Sequence, residues 1–149
     1  MSFLFQNLME AKRLADERRL EDLQNANKNA KTKLIDEQIR GELIAWKKDF
    51  LYLGRIVNSD VTDKERHVKA AARECVSNIT YNYSPQKCFP EFCASMRTIE
   101  QRINKKLIRI SPEYAYAPVE CLQLLAYSGR LDKIINYIDD LEQTFTNYD

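Results

Sequence analysis

Residues 35–57 read IDEQIRGELIAWKKDFLYLGRIV, and within them Ile35, Ile39, Leu43, Trp46, Phe50, Leu53 and Val57 recur with gaps of 4, 4, 3, 4, 3 and 4. Gaps alternating between three and four keep side chains on one face of a 3.6-residue helix, so the stretch predicts an α-helix with one covered face. Leu34, Ile44, Leu51 and Ile56 widen the strip beyond the seam that a two-stranded coiled coil uses. The expected element is a core helix touching two or more neighbours, with a dimeric coiled coil as the competing reading. Gly41 interrupts the pattern at a cost of about 1 kcal/mol relative to alanine, which packing can absorb.

The punctuation around this helix extends the same reading. The chain has 149 residues but only three glycines and four prolines, and its first 84 positions hold no proline. Towards the N-terminus, residues 3–23 carry an uneven apolar stripe of Phe3, Leu4, Leu8, Ala11, Ala15, Leu20 and Leu23 among many charges, which reads as a wet helix. Between them lies QNANKNAKTK, residues 24–33. Asn and Thr compete with the helix for backbone hydrogen bonds, so this tract is either a break or a polar bridge inside one continuous helix.

Towards the C-terminus, Asn58-Ser59-Asp60 ends the core helix, and Thr62-Asp63-Lys64-Glu65 has the spacing of a capping box, with Thr62 as the cap. Val68, Ala71, Ala72, Cys75, Val76 and Ile79 give the helix that follows its buried face. Residues 80–89 read as a loop, because Pro85 drives its predecessor out of helical geometry. Phe92, Met96, Ile99, Ile103 and Leu107 mark a third helix starting near Pro90 and ending near Ile110. Pro112 and Pro118 each open a further element, with Val119, Leu122 and Leu125 as the inner face of the second. Ser128-Gly129 is a helix stop, and Leu131 to Phe145 supplies a last helix, expected to pair with its predecessor as an αα-hairpin. The fold class is all-α: a long N-terminal helical arm and first core helix over residues 1–58, then a compact bundle of about four helices over residues 59–149.

A chain of this length can bury roughly two-thirds of its unfolded surface, so it needs neither metal nor disulfide to fold. Twenty-three Lys plus Arg against twenty-two Asp plus Glu leave a net charge of +1, which excludes the overall basicity that makes nucleic acid the default partner. Three glycines leave no phosphate cradle or dinucleotide-binding turn. The opening MSFLFQNLMEAKR places its short apolar run before the first basic residue, the reverse of a secretory signal, and the run is too short to cross a bilayer. The chain reads as cytoplasmic, with no membrane partner, and the two Asn-x-Ser/Thr matches at Asn78 and Asn82 as chance.

Four groups of residues are candidate sites. Cys88-x4-Cys93 just meets the spacing of a zinc pair that Cys75 or Cys121 could complete, but Cys75 and Cys121 fall on apolar faces where a thiol is an ordinary small core residue, so no metal or other cofactor is expected. His67 beside Asp63, Glu65 or Glu74 is the only histidine available for acid–base work, and a surface role is the plainer reading; no catalytic residue is assigned and no enzyme is expected. Arg102, Lys105, Lys106 and Arg109 follow i, i+3, i+4 and i+7 beside Arg97, a stripe that either binds phosphates or meets the acidic last twenty residues. Tyr81, Tyr83, Tyr114 and Tyr116, half of the eight tyrosines, cluster in two connecting segments and suit partner contact.

The functional expectation is a non-enzymatic assembly or adaptor protein. Its contacts would run through Phe3, Leu4, Leu8, Leu14 and Leu20 of the arm, with Tyr81, Tyr83, Tyr114 and Tyr116 as further contact residues, against another copy or a larger protein. The alternative is a nucleic-acid-associated protein binding phosphates through Arg102, Lys105, Lys106 and Arg109, with Tyr114 and Tyr116 beside them.

Overall fold

Helix α1 runs without interruption from Ser2 to Val57 in the computed structural model, which describes residues 2–80 and 83–145. The polar tract 24–33 is therefore a bridge and not a break. Thr32 donates its hydroxyl to the Lys28 carbonyl at 3.0 Å, four residues back, so its side chain bonds along the helix instead of competing with it. The chain divides into two units, Met1–Leu34 and Ile35–Asp149. The division falls inside α1, not at residue 58, because the covered strip begins at Ile35.

In the first unit every side chain from Phe3 to Leu34 is exposed. Its helix is supported by ion pairs along its own surface: Arg13 bridges Glu10 and Glu17, and Arg19 meets Asp16 at 3.1 Å. The Arg13 guanidinium, by hydrogen bond first and charge second, holds the Glu10 carboxyl below its usual range.

The second unit contains all the buried hydrophobic side chains. Ile35, Ile39, Leu43, Trp46, Phe50, Leu53 and Ile56 of α1 are buried, as the three-four spacing requires, and Val57 packs partly against them. Asn58 Nδ2 donates to the Gly54 carbonyl at 3.1 Å and Ser59 Oγ to the Ile56 carbonyl at 2.7 Å, satisfying acceptors that the helix end leaves open. Four further α-helices follow among the described residues: α2 (Lys64–Asn78), α3 (Pro90–Ile110), α4 (Pro118–Tyr127) and α5 (Asp132–Gln143), with a one-turn 3₁₀ helix at Pro112–Ala115.

Helix starts follow the prolines where the sequence has them, since Pro90, Pro112 and Pro118 each occupy a first turn. The capping box does not form. Asp63, not Thr62, caps α2 and makes no side-chain capping bond, so Arg66 takes the third helical position and Glu65 is one residue out of register for reaching back. Asp63 also holds φ 56°, a left-handed conformation that an L side chain adopts at a cost. Asp63→Gly is expected to raise stability by about 1 kcal/mol, read as a higher thermal midpoint.

Gly129, at φ 69°, supplies the stop after α4. Arg130 N–H reaches the Leu125 carbonyl at 2.9 Å and Gly129 N–H the Ala126 carbonyl at 3.2 Å, the paired bonds of a Schellman turn. The close approaches are α4 with α2 and α5 with α3, and the 3₁₀ turn lies against both α3 and α4. Small residues decide this: Ala71, Ala72 and Cys75 on α2 face a buried side of α4 that includes Cys121 and Ala126, so these two backbones can come near. Of the three isoleucines of α5, Ile134 and Ile138 are fully buried and Ile135 is half-buried.

Candidate functional site

The N-terminal half of α1 presents two opposite faces. At 100° per residue, Leu4, Leu8, Ala11 and Ala15 fall within one quadrant and Arg13 and Glu17 lie on the far side, with Phe3 and Leu14 between the two, on the edge next to Glu10. The acidic-basic ladder thus faces solvent and the apolar stripe is left bare: Phe3 is 75%, Leu4 70% and Leu8 64% exposed. Arg18, Arg19 and Asp22 then occupy the stripe's continuation, so it ends at Ala15, about 18 Å from Phe3 along the axis. Leu20 lies about 160° round from Leu4 and cannot share its seam, although it too is exposed. Phe5 and Met9, absent from the sequence expectation, are exposed on the stripe's other side.

The basic stripe of α3 lies on the solvent side of a helix whose Phe92, Met96, Ile99, Ile103 and Leu107 are buried. Arg102, Lys105 and Arg109 are exposed, and Lys106 lies over the Tyr137 ring, 5.6 Å from its centroid. The acidic last helix does not cover them. Asp139 and Glu142 instead grip Lys47 of α1, at 2.9 and 2.8 Å. Those bonds, Glu142 foremost, raise Lys47 above the usual lysine value of 10.5. A group raised on folding stabilises the fold below its unfolded pKa and loses that contribution as pH climbs through its folded one. Lys47→Met is expected to cost about 1–2 kcal/mol near neutrality, between an exposed and a buried ion pair, with the deficit shrinking above pH ~10.5 in urea titrations.

The tyrosines separate. Tyr81 lies outside the described residues. Tyr83 is half-buried: its hydroxyl donates to Glu42 Oε2 at 2.9 Å, and its ring meets Phe92 edge to face at 5.1 Å. Burial first, then the Glu42 bond and charge, push its phenol well above the usual range. Tyr83 thus ties the loop to α1, and its hydroxyl is already engaged. Tyr114 is buried against the core, its phenol pushed up chiefly by burial, so it has no surface to offer a partner. Tyr116, two residues on, is 91% exposed.

Around Tyr83 is a cleft of about 590 Å³ between Gln38, Gly41 and Glu42 of α1 and Cys88, Phe89 and Phe92. The sequence carried one signal of it, Gly41, where an added Cβ would meet no neighbouring atom within 4 Å. His67 lines a smaller hollow of about 230 Å³ with Asp49, Tyr52 and Glu74. Of the acids expected beside it only Glu74 is there, and Asp49 is already bonded by Asn78 Nδ2 at 2.8 Å. Among the cysteines, Cys75, Cys93 and Cys121 are buried and Cys88 is half-buried. Burial, reinforced by Asp49 and Glu74, pushes the Cys75 thiol up to about 12, so it is no nucleophile at neutral pH. No group of three or more metal-ligating side chains converges among the described residues. No helix among them is long and apolar enough to cross a membrane.

No protein-family model, curated protein or solved structure matches the chain.

Proposed function

We propose that the chain is a non-enzymatic helical assembly or adaptor protein that acts through the apolar stripe Phe3–Ala15 of α1, docked on a second protein surface. The observation that supports this is the bare stripe on a helix whose side chains from Phe3 to Leu34 are all exposed. Isolated helices are marginal in water, and covering Phe3, Leu4 and Leu8 would supply what the ion-pair ladder alone does not. Recognition by a helix with anchors at i, i+4, i+7 and i+11 is the mode in which an amphipathic segment lies in a hydrophobic groove or against its own copy.

The reading is tested by light scattering coupled to size-exclusion chromatography on the full chain at two salt concentrations. A defined oligomer whose mass ignores salt supports apolar pairing between copies. A monomer at both salts sinks self-assembly and leaves a different protein as the partner, to be sought by cross-linking through a cysteine placed at Leu8.

A further inference from the structure

We propose that the outer face of α3 binds the phosphate backbone of a single-stranded nucleic acid, with Tyr116 stacking on a base at the C-terminal end of that face. Arg102, Lys105 and Arg109 stand at i, i+3 and i+7, so they span about 10 Å of one helix face and can meet successive phosphates of one strand. All three are exposed, and none is in an ion pair or hydrogen bond among the described residues.

Two of the acids on α5, the helix packed on α3, are engaged away from this row. Asp139 and Glu142 hold Lys47, and the Glu113 carboxylate accepts the Ser111 hydroxyl at 2.8 Å. Lys106 keeps its charge over the Tyr137 ring beside the row. Arg130 adds a further cation at the same end, its guanidinium donating to the Ile110 carbonyl at 3.2 Å. The protein's net charge of +1 therefore conceals a local concentration of positive charge.

Tyr116 makes the ligand more specific than any polyanion. It follows directly on the 3₁₀ turn that lies against α3, seven residues after Arg109, and its ring is almost wholly uncovered while Tyr114 is buried. A bare aromatic ring on the segment that leaves the end of a cationic helix suits single strands, since every unpaired base has a face to stack. A lipid surface fits less well: Phe92, Met96, Ile99, Ile103 and Leu107 of α3 are buried and Ile108 alone of its large apolar side chains is exposed, too little to form an apolar face for insertion.

The test is fluorescence anisotropy of a labelled oligothymidine about 20 nucleotides long, titrated with the full chain at several salt concentrations. Three phosphate contacts on a single strand give a slope of log affinity against log salt near −2. The pair Lys105→Glu and Arg109→Glu, with helicity checked by circular dichroism, is expected to weaken binding about tenfold or more. Tyr116→Ala is expected to weaken oligothymidine about fivefold or more while leaving inorganic polyphosphate binding unchanged. Oligothymidine affinity that survives the charge reversal overturns the proposal. So does a Tyr116→Ala variant that binds oligothymidine as the parent does, or binding by anionic phospholipid vesicles but not by the oligomer.

Discussion

Replacing Phe50 with alanine is expected to cost about 3–5 kcal/mol of stability, the range for emptying a buried aromatic site. Phe50 lies in the middle of the covered strip of α1 and is fully buried, with Trp46 and Leu53 one turn away on either side. Removing the ring loses its transfer free energy and leaves a cavity that the flanking residues close only in part. A domain of this size is stable by about 5–15 kcal/mol, so the loss is about a fifth of the total or more. The thermal midpoint should fall by about 10–20 °C. A fall of only a degree or two would mean that Phe50 is solvated and that α1 is not the centre of the core.

Replacing Phe3, Leu4 and Leu8 together with glutamine should do the opposite: abolish assembly and leave the unfolding midpoint where it was. These side chains are exposed in the single chain, so folding gains almost nothing from them. Covered by a partner, each contributes about 1.5–3 kcal/mol, and even the lower sum exceeds the ~4 kcal/mol that corresponds to a thousandfold in affinity. The light-scattering mass of the variant should be that of one chain at concentrations where the parent assembles. An unchanged mass would exclude the stripe as the contact. A lowered midpoint would show that it is covered within the chain.

Much of the fold was legible because it is written in period. The buried faces of α1, α2 and α3 follow the three-four spacings closely, with Val57 and Val76 only half-buried and Ile56 and Cys93 buried beside them, and the helix starts at Pro90 and Pro118 and the stop at Gly129 follow from backbone geometry that only those residues favour. The candidate sites were less legible. Tyr114 is buried inside the 3₁₀ turn and Tyr116, just past its end, is bare, a difference set by how that turn packs against α3 and α4. That Asp139 and Glu142 of α5 meet Lys47 of α1 and not the basic face of α3 is a pairing across more than ninety residues of sequence.

The capping box marks the limit of local reasoning. Thr62 and Glu65 have the right spacing, yet the turn brings the chain into α2 one residue later, and the reciprocal bonds have no geometry in which to form.

By itself, then, the sequence determined which segments are helical and which face of each is apolar, because both depend on neighbours within a few residues along the chain. Only the tertiary structure decided the continuity of the polar tract, the pairing of α4 with α2 and of α5 with α3, and which charges and rings were left for a partner. Those outcomes depend on which helices pack together and which polar groups satisfy one another once they have. Nearest-neighbour preferences do not specify them.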